Sequence, residues 1–394
     1  MTDWREVESR VFMTTGRRVP VVFVKGEGSL LWDDTGKRYL DFFQGIAANS
    51  LGHCHPVVVK ALEEQARTLI QVSNVYYTIP QLQLAELLID NSCFDRIYFQ
   101  NSGTESTEAA IKLVRKWGKE RKNGAFEIIS ATDSFHGRTL AAITATGTPR
   151  YSDPFGPLPP GFLHVPFDDI EALQQATTPQ TAAIFLEPIQ GEGGVNMPNP
   201  SYFPAVRKWC DDNNILLVAD EVQTGMCRTG PLFAYQGMGF EPDVMTLAKG
   251  LGSGVPIGAI LAKEDCAVFT PGDHGSTISG NPLSTAVGYA ITKYMLENNL
   301  SARVEKVGGY LTGRLDALKQ KHPVVSGVRG KGLLIALAFN ADISEKVTLD
   351  CLEHGLVVNN IRPNAIRMAP ALTVSEAEVD EAVTIIEGAL SRVA

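Results

Sequence analysis

The chain reads as an α/β protein, with a large domain on a mainly parallel sheet and a smaller α+β domain. Three observations predict this. Short apolar runs alternate with helical periodicity through the middle of the chain, the order that lays helices over a parallel sheet. Ile215-Leu-Leu-Val-Ala219 is apolar on both faces, as a strand must be when helices bury each side. After about residue 290 the pattern changes to long amphipathic helices around short strands.

The central strands are expected at Ile97 to Gln100, Phe126 to Ser130, Ala183 to Leu186, Ile215 to Ala219, Val244 to Leu247 and Ile257 to Leu261. Asp220-Glu221 follow the fourth of these, where open α/β sheets bind their ligands beyond the carboxyl ends of the strands. Farther on, helices are expected at roughly 301–321 and 375–392, with strands near Val325, Leu333, Val357 and Ile366. The first 45 residues look strand-rich, at Val19 to Val24, Ser29 to Trp32 and Tyr39 to Phe42. Lys25-Gly-Glu-Gly28 and Asp34-Thr-Gly36 are the turn signals between them.

Composition narrows the function. The 394 residues are 44% hydrophobic and 20% charged, ordinary for a globular enzyme. A net charge of −9 without any basic tract argues against a nucleic-acid partner, whose phosphates need clustered Lys and Arg. The Met1 to Val11 start is mixed and charged, and no apolar run reaches membrane-spanning length, so no membrane association and a cytoplasmic location are expected. Six cysteines without a CxxC pair read as reduced thiols. His53-Cys54-His55 lacks partner ligands at useful spacing, so no metal is expected.

Several short motifs carry chemistry. Ser102-Gly-Thr-Glu105 precedes a helical pattern at Ala110, Leu113, Val114 and Trp117, so Ser102 reads as an N-cap with Glu105 completing a capping box. The same helix end, with a glycine that lets a ligand approach, also offers free N–H groups to a phosphate. Lys249 stands just past a strand in a glycine-rich loop, where it is either solvated or turned inward as a nucleophile toward carbonyls. Asp220 is either a cap or a carboxylate that keeps a pyridine nitrogen protonated. Phe135-His-Gly-Arg138 sets an aromatic face beside a guanidinium suited to carboxylates.

Taken in order, Ser102-Gly-Thr104, Phe135-His-Gly-Arg138, Glu187-Pro-Ile-Gln-Gly-Glu192, Asp220-Glu-Val-Gln223, Lys249 and Gly275-Ser-Thr-Ile-Ser-Gly-Asn-Pro282 resemble the class III aminotransferases of pyridoxal-phosphate (PLP) fold type I. The match is close to the branch acting on acetylornithine. It runs from Gly45-Ile-Ala-Ala-Asn49 to Ile366-Arg-Met-Ala-Pro370, nearly the whole chain. The resemblance implies a PLP-binding domain over residues 46–289 and a small domain built from 1–45 with 290–394. Lys249 would carry PLP and shuttle the reacting proton, Asp220 would pair with the ring nitrogen, and Phe135, His136 and Val222 would surround the ring. Gln223 would reach the phenolic oxygen. Ser102, Gly103 and Thr104 would hold the phosphate, and Thr277 would reach the phosphate of a second subunit, so that a homodimer would share its two sites.

For substrates, the resemblance implies two arginines and a switch. Arg367 would grip the α-carboxylate of glutamate, Arg138 the distal carboxylate, and Glu192 would mask Arg367 while an ω-amino substrate reacts. Ser276, Ile46 and Tyr77 would complete the substrate pocket, with Ile46 favouring an acetylated donor where relatives acting on free ornithine carry Tyr. The implied reaction passes the δ-amino group of N-acetylornithine to 2-oxoglutarate, a reversible step of arginine biosynthesis. The chain departs from the branch at Gly16 and Ile278, each where Tyr is usual, and at Ser253, which interrupts a Gly-Gly-Gly. Ornithine, succinylornithine, 4-aminobutyrate and carrier-linked lysine therefore stay open as donors, as does PLP-dependent aminomutase or racemase chemistry.

Overall fold

The computed structural model describes residues 3–393. Met1 and Thr2 of the mixed N-terminal segment, and Ala394 at the end of the expected small domain, lie outside them. A seven-stranded sheet forms the centre, in the order Arg96–Gln100, Gly258–Ala262, Val244–Leu247, Leu216–Asp220, Thr181–Leu186, Glu127–Ala131, Phe162–Val165. Only Gly258–Ala262 runs against the others, pairing antiparallel with both neighbours. Every residue of Thr181–Leu186 and Leu216–Asp220 is buried, which explains why both read as apolar runs without alternation.

Helices cover the sheet. Gly103–Arg121 lays Ala110, Leu113, Val114 and Trp117 onto it, the periodic set legible in the sequence. Burying each large side chain of that stripe contributes roughly 1.5–3 kcal/mol. Two further sheets follow. An antiparallel one orders Val325–Lys331, Leu334–Phe339, Ala365–Met368 and Asn359–Arg362. The other joins Phe23–Glu27, Leu30–Asp33 and Arg38–Asp41 to Leu356–Val357, which lies parallel to Arg38–Asp41. Helices Leu300–Lys321 and Glu376–Val393 agree with the amphipathic patterns.

Three elements differ from expectation. The first strand begins at Phe23 rather than Val19, because Pro20 has no N–H for a ladder and pairing starts at Phe23 with Asp33. Phe162–Val165 is a short, mostly half-exposed edge strand whose pattern is too weak to read. Trp4–Val11 forms a helix capped by Asp3, none of whose residues is buried, so no apolar stripe announced it.

Candidate active site

The loops leaving the carboxyl edge of the sheet converge on a cavity of about 380 Å³, an ordinary volume for a small-molecule site. Ser102 follows Arg96–Gln100, Phe135 to Arg138 follow Glu127–Ala131, Glu187 follows Thr181–Leu186, Asp220 ends Leu216–Asp220, and Lys249 follows Val244–Leu247. All of them line the cavity, as do Gly103, Thr104, Glu192, Val222 and Gln223. Parallel strands make this convergence, since each ends at the same edge.

Lys249 sits with φ of 39°, in the left-handed region that a side chain avoids without support from its surroundings. Its side chain keeps some surface toward the cavity, while its amine lies deep among protein atoms. Burial lowers its pKa and Arg367 pushes the same way, against Glu192, Asp220 and Glu187. An amine so placed is readily neutral, the state a nucleophile needs.

Asp220 is buried and its Oδ2 lies 2.7 Å from His136 Nδ1. Oδ1 accepts from Val222 N–H at 3.0 Å and the Thr246 hydroxyl at 3.1 Å. His136 stacks on Phe185 with ring centroids 4.5 Å apart and leaves Nε2 without a partner among the described residues. Beside this pair, Glu187 accepts from Phe135 N–H and Gly191 N–H, each at 3.0 Å. Burial pushes its carboxyl up to about 7; Asp220 adds to the rise, while His136 and the two N–H groups oppose it.

The helix end expected to hold the phosphate is also formed. Ser102 caps the Gly103–Arg121 helix, its side chain accepting from Glu105 N–H at 3.3 Å. Glu105 closes the box one residue earlier than expected, on Asn101 N–H at 2.7 Å. A Cβ at Gly103 would lie 2.9 Å from Val222 Cγ1, so the glycine admits Val222 to the cavity wall. Thr104 Oγ1 accepts from Arg138 N–H and Thr139 N–H, at 3.1 and 3.3 Å, which ties the helix end to the aromatic loop.

The two arginines differ in what they offer. Arg367 is buried and its N–H edge is occupied: Glu192 Oε1 at 2.6 Å and Gln223 Oε1 at 3.1 Å on Nη1, Asn359 Oδ1 at 2.9 Å on Nη2. Gln223 Nε2 in turn donates to Glu192 at 3.1 Å, and Gly191 leaves room for the Gln223 side chain. Burial works to raise the Glu192 carboxyl, but Arg367, Lys249 and these hydrogen bonds overcome it and the net shift is downward. Arg138 is exposed, and its guanidinium carbon lies over the Tyr151 ring, 3.9 Å from the centroid.

These residues fit PLP. A buried carboxylate that can pair with a ring nitrogen lines the cavity, a half-buried lysine with a lowered pKa lines it too, and a helix N-terminus closes its end. Other expected residues lie apart from the cavity lining. Ser276 accepts from Asn101 Nδ2 at 3.0 Å, one step behind it. Ile46 lies in a left-handed turn, Gln44–Ala47, two residues before the lining residue Ala48. Tyr77 and Thr277 are exposed, Tyr77 at 93%. Ser253 accepts from Leu51 N–H at 3.1 Å, and Gly16 is exposed, with open space where a Cβ would stand.

Sequence reasoning missed Asn359, Thr246, Tyr151 and the part played by Glu187; only Glu187, inside the Glu-Pro-Ile-Gln-Gly-Glu run, carried a signal. Among the described residues no cluster could hold a metal: His53 pairs with Asp41 at 2.7 Å, His55 caps the Pro56–Thr68 helix, and Cys54 is exposed.

The family model for class-III aminotransferases matches residues 12–390, and the chain belongs to that family. It is 49% identical over 387 residues to an acetylornithine aminotransferase of Caldanaerobacter subterraneus, covering 98% of both chains. To that of Methanocaldococcus jannaschii it is 46% identical, covering 98% of this chain and 97% of the other. Among solved structures, the ornithine aminotransferase of Toxoplasma gondii matches with a TM-score of 0.96 at 35% identity, over 100% of this chain and 96% of that one. The acetylornithine aminotransferase of Elizabethkingia anophelis matches with a TM-score of 0.88 at 34% identity, over 99% and 98%.

Proposed function

We propose that this chain is an acetylornithine aminotransferase that uses PLP to pass the δ-amino group of N-acetylornithine to 2-oxoglutarate. The products are N-acetylglutamate semialdehyde and glutamate, and the step is reversible. One observation carries the reading: at the cavity that Lys249 lines, one arginine has its N–H edge masked by a carboxylate and, among the described residues, the other has its edge free. A pocket serving both a δ-amino donor and glutamate needs that asymmetry.

PLP, when bound, supplies an aldehyde that captures amines and a ring that withdraws electrons from the substrate carbon. The residues do the rest. Asp220, steadied by His136 and Thr246, keeps the ring nitrogen protonated. Phe135 and Val222 pack the ring, and Ser102, Gly103 and Thr104 hold the phosphate at the helix end. Lys249 Nζ takes a proton at one carbon and returns it at another, a task that its lowered pKa suits. Acetylornithine presents its α-carboxylate to Arg138 while Glu192 stays on Arg367. Glutamate displaces Glu192, placing its α-carboxylate on Arg367 and its distal one on Arg138. Each charged contact is worth about 1.5–3 kcal/mol.

The unit is a homodimer with shared sites. Support comes from the exposed cluster of Val75 at 80%, Tyr76, Tyr77, Ile79 and Ile278, beyond the scattered apolar residues of a monomer surface. Gln71 Nε2 donates to Thr277 O at 2.6 Å and Asn74 Nδ2 to Ser279 O at 2.9 Å, so Thr277 belongs to this face. Residues 46–289 make the cofactor domain and 1–45 with 290–394 the small one, a division supported by the pairing of Leu356–Val357 with Arg38–Asp41. No described helix is long and apolar enough to cross a membrane, and six free cysteines suit a reducing cytoplasm.

Free ornithine is the second reading, given the overlay with the Toxoplasma gondii enzyme. Ile46, 40% exposed two residues before the lining residue Ala48, favours an acetyl group over a second ammonium. The test is a panel of donors (acetylornithine, ornithine, succinylornithine, 4-aminobutyrate, a lysine carried on a peptide) scored for glutamate formed from 2-oxoglutarate by PLP-loaded enzyme. Acetylornithine should lead ornithine by about tenfold or more in kcat/KM. Another donor in the lead sinks the substrate assignment, and no glutamate from any donor sinks the reaction.

A further inference from the structure

Tyr151 is not a lining residue of the cavity, yet it is what Arg138 rests on. Among the described residues the Arg138 side chain forms neither an ion pair nor a hydrogen bond; its contacts are to rings. Its guanidinium carbon lies 3.9 Å from the Tyr151 centroid and 5.3 Å from that of Phe135. The two rings meet edge to face, with centroids 6.2 Å apart. Tyr151 itself sits in the one-turn helix Pro149–Ser152, its N–H donating to Thr148 O at 3.0 Å and its hydroxyl accepting from Arg150 Nη2 at 2.8 Å.

A cation over a ring is held by the flat face of the guanidinium, whereas a carboxylate is bound by the N–H edge in its plane. The two do not compete. An Asp or Glu in place of the ring would hold Arg138 as firmly but would occupy the edge, as Glu192 does for Arg367. We infer that Tyr151 is a positioning residue that sets the enzyme's affinity for the distal carboxylate of its substrates. It anchors Arg138 by its face and leaves the edge to the cavity. The inference deepens the proposed function and rests on Arg138 receiving that carboxylate.

The experiment compares two acceptors on PLP-loaded enzyme, 2-oxoglutarate and 2-oxobutyrate, which share the reacting end and differ in the distal carboxylate. Tyr151→Leu, and Tyr151→Gln as a second ring-free variant, should raise KM for 2-oxoglutarate about 5- to 30-fold with kcat little changed. Neither should alter kcat/KM for 2-oxobutyrate. Tyr151→Phe, which keeps the ring and drops the hydroxyl, should retain the wild-type preference. Arg138→Ala should abolish the preference. Ring-free variants that keep the preference, or that lose activity equally on both acceptors, overturn the role of Tyr151. If Arg138→Ala keeps the preference, the account of the carboxylate site itself fails, whatever Tyr151 does.

Discussion

Glu187 and Glu192 stand five residues apart on one cavity wall, and burial leaves them in opposite states. Glu192 has Arg367 as a neighbour and its carboxyl is shifted down; Glu187 is not ion-paired with an arginine, has the Asp220 carboxylate nearby, and burial raises its carboxyl to about 7. The folded form of Glu187 therefore holds a proton that the unfolded chain releases near pH 4.5, and stability falls as pH rises through the window between those values. Glu187→Gln removes that titration. It also turns an amide NH2 toward Gly191 N–H or Phe135 N–H, a cost independent of pH. In PLP-free protein, the unfolding free energy of wild type relative to Glu187→Gln should drop by on the order of 3 kcal/mol between pH 5 and pH 8. Glu221, also raised to about 7, is common to both proteins and cancels. Parallel urea-denaturation curves across that range would refute the assignment. Lys249 and Asp220 were legible in the sequence because each stands at or just past the end of a readable strand, and Arg138 because it closes the Phe135-His-Gly-Arg138 motif; the shift at Glu187 was not, because it comes from burial and from neighbours brought in from other strands.

Elements were legible to the extent that they carry an apolar period. The Ser102 to Glu105 box marked a helix start correctly, and only the N–H that Glu105 accepts was displaced by one residue. The left-handed run Gln44–Ala47 carried no signal, since only Gly45 in it favours such angles; it is held instead by Asp41, which accepts from Phe43 N–H and Gln44 N–H. At the head of the Gly103–Arg121 helix the decisive contact is with Val222. Gly103→Ala would set a Cβ 2.9 Å from Val222 Cγ1, and relieving it should cost about 1–3 kcal/mol. The expected outcome is weaker PLP affinity by equilibrium dialysis, recovered in part by Gly103→Ala/Val222→Ala. Equal affinity in the single variant and wild type would show that the contact is absorbed elsewhere.

At the scale of the molecule, the shared-site proposal is tested on the exposed face around Tyr77. Tyr77→Asp should shift the sedimentation coefficient to that of a monomer at micromolar concentration and reduce activity in parallel, since burying a carboxylate in an apolar contact is costly. A fully active monomer would sink the shared-site proposal. The sequence by itself determined the central strands, the long helices that cover them, the family resemblance and Lys249 as a candidate, because short-range periodicity and ordered motifs write those locally. The resemblance already implied that Glu192 masks Arg367; tertiary structure alone decided that Gln223 and Asn359 share that mask and that Arg138 rests on Tyr151. Arg367 meets Glu192 across 175 residues and Gln223 across 144, and Arg138 lies over the ring of Tyr151, in the helix Pro149–Ser152 beyond the intervening helix Leu140–Ala145. Such contacts depend on sheet order and on the depth of burial, and no local pattern of side chains records either.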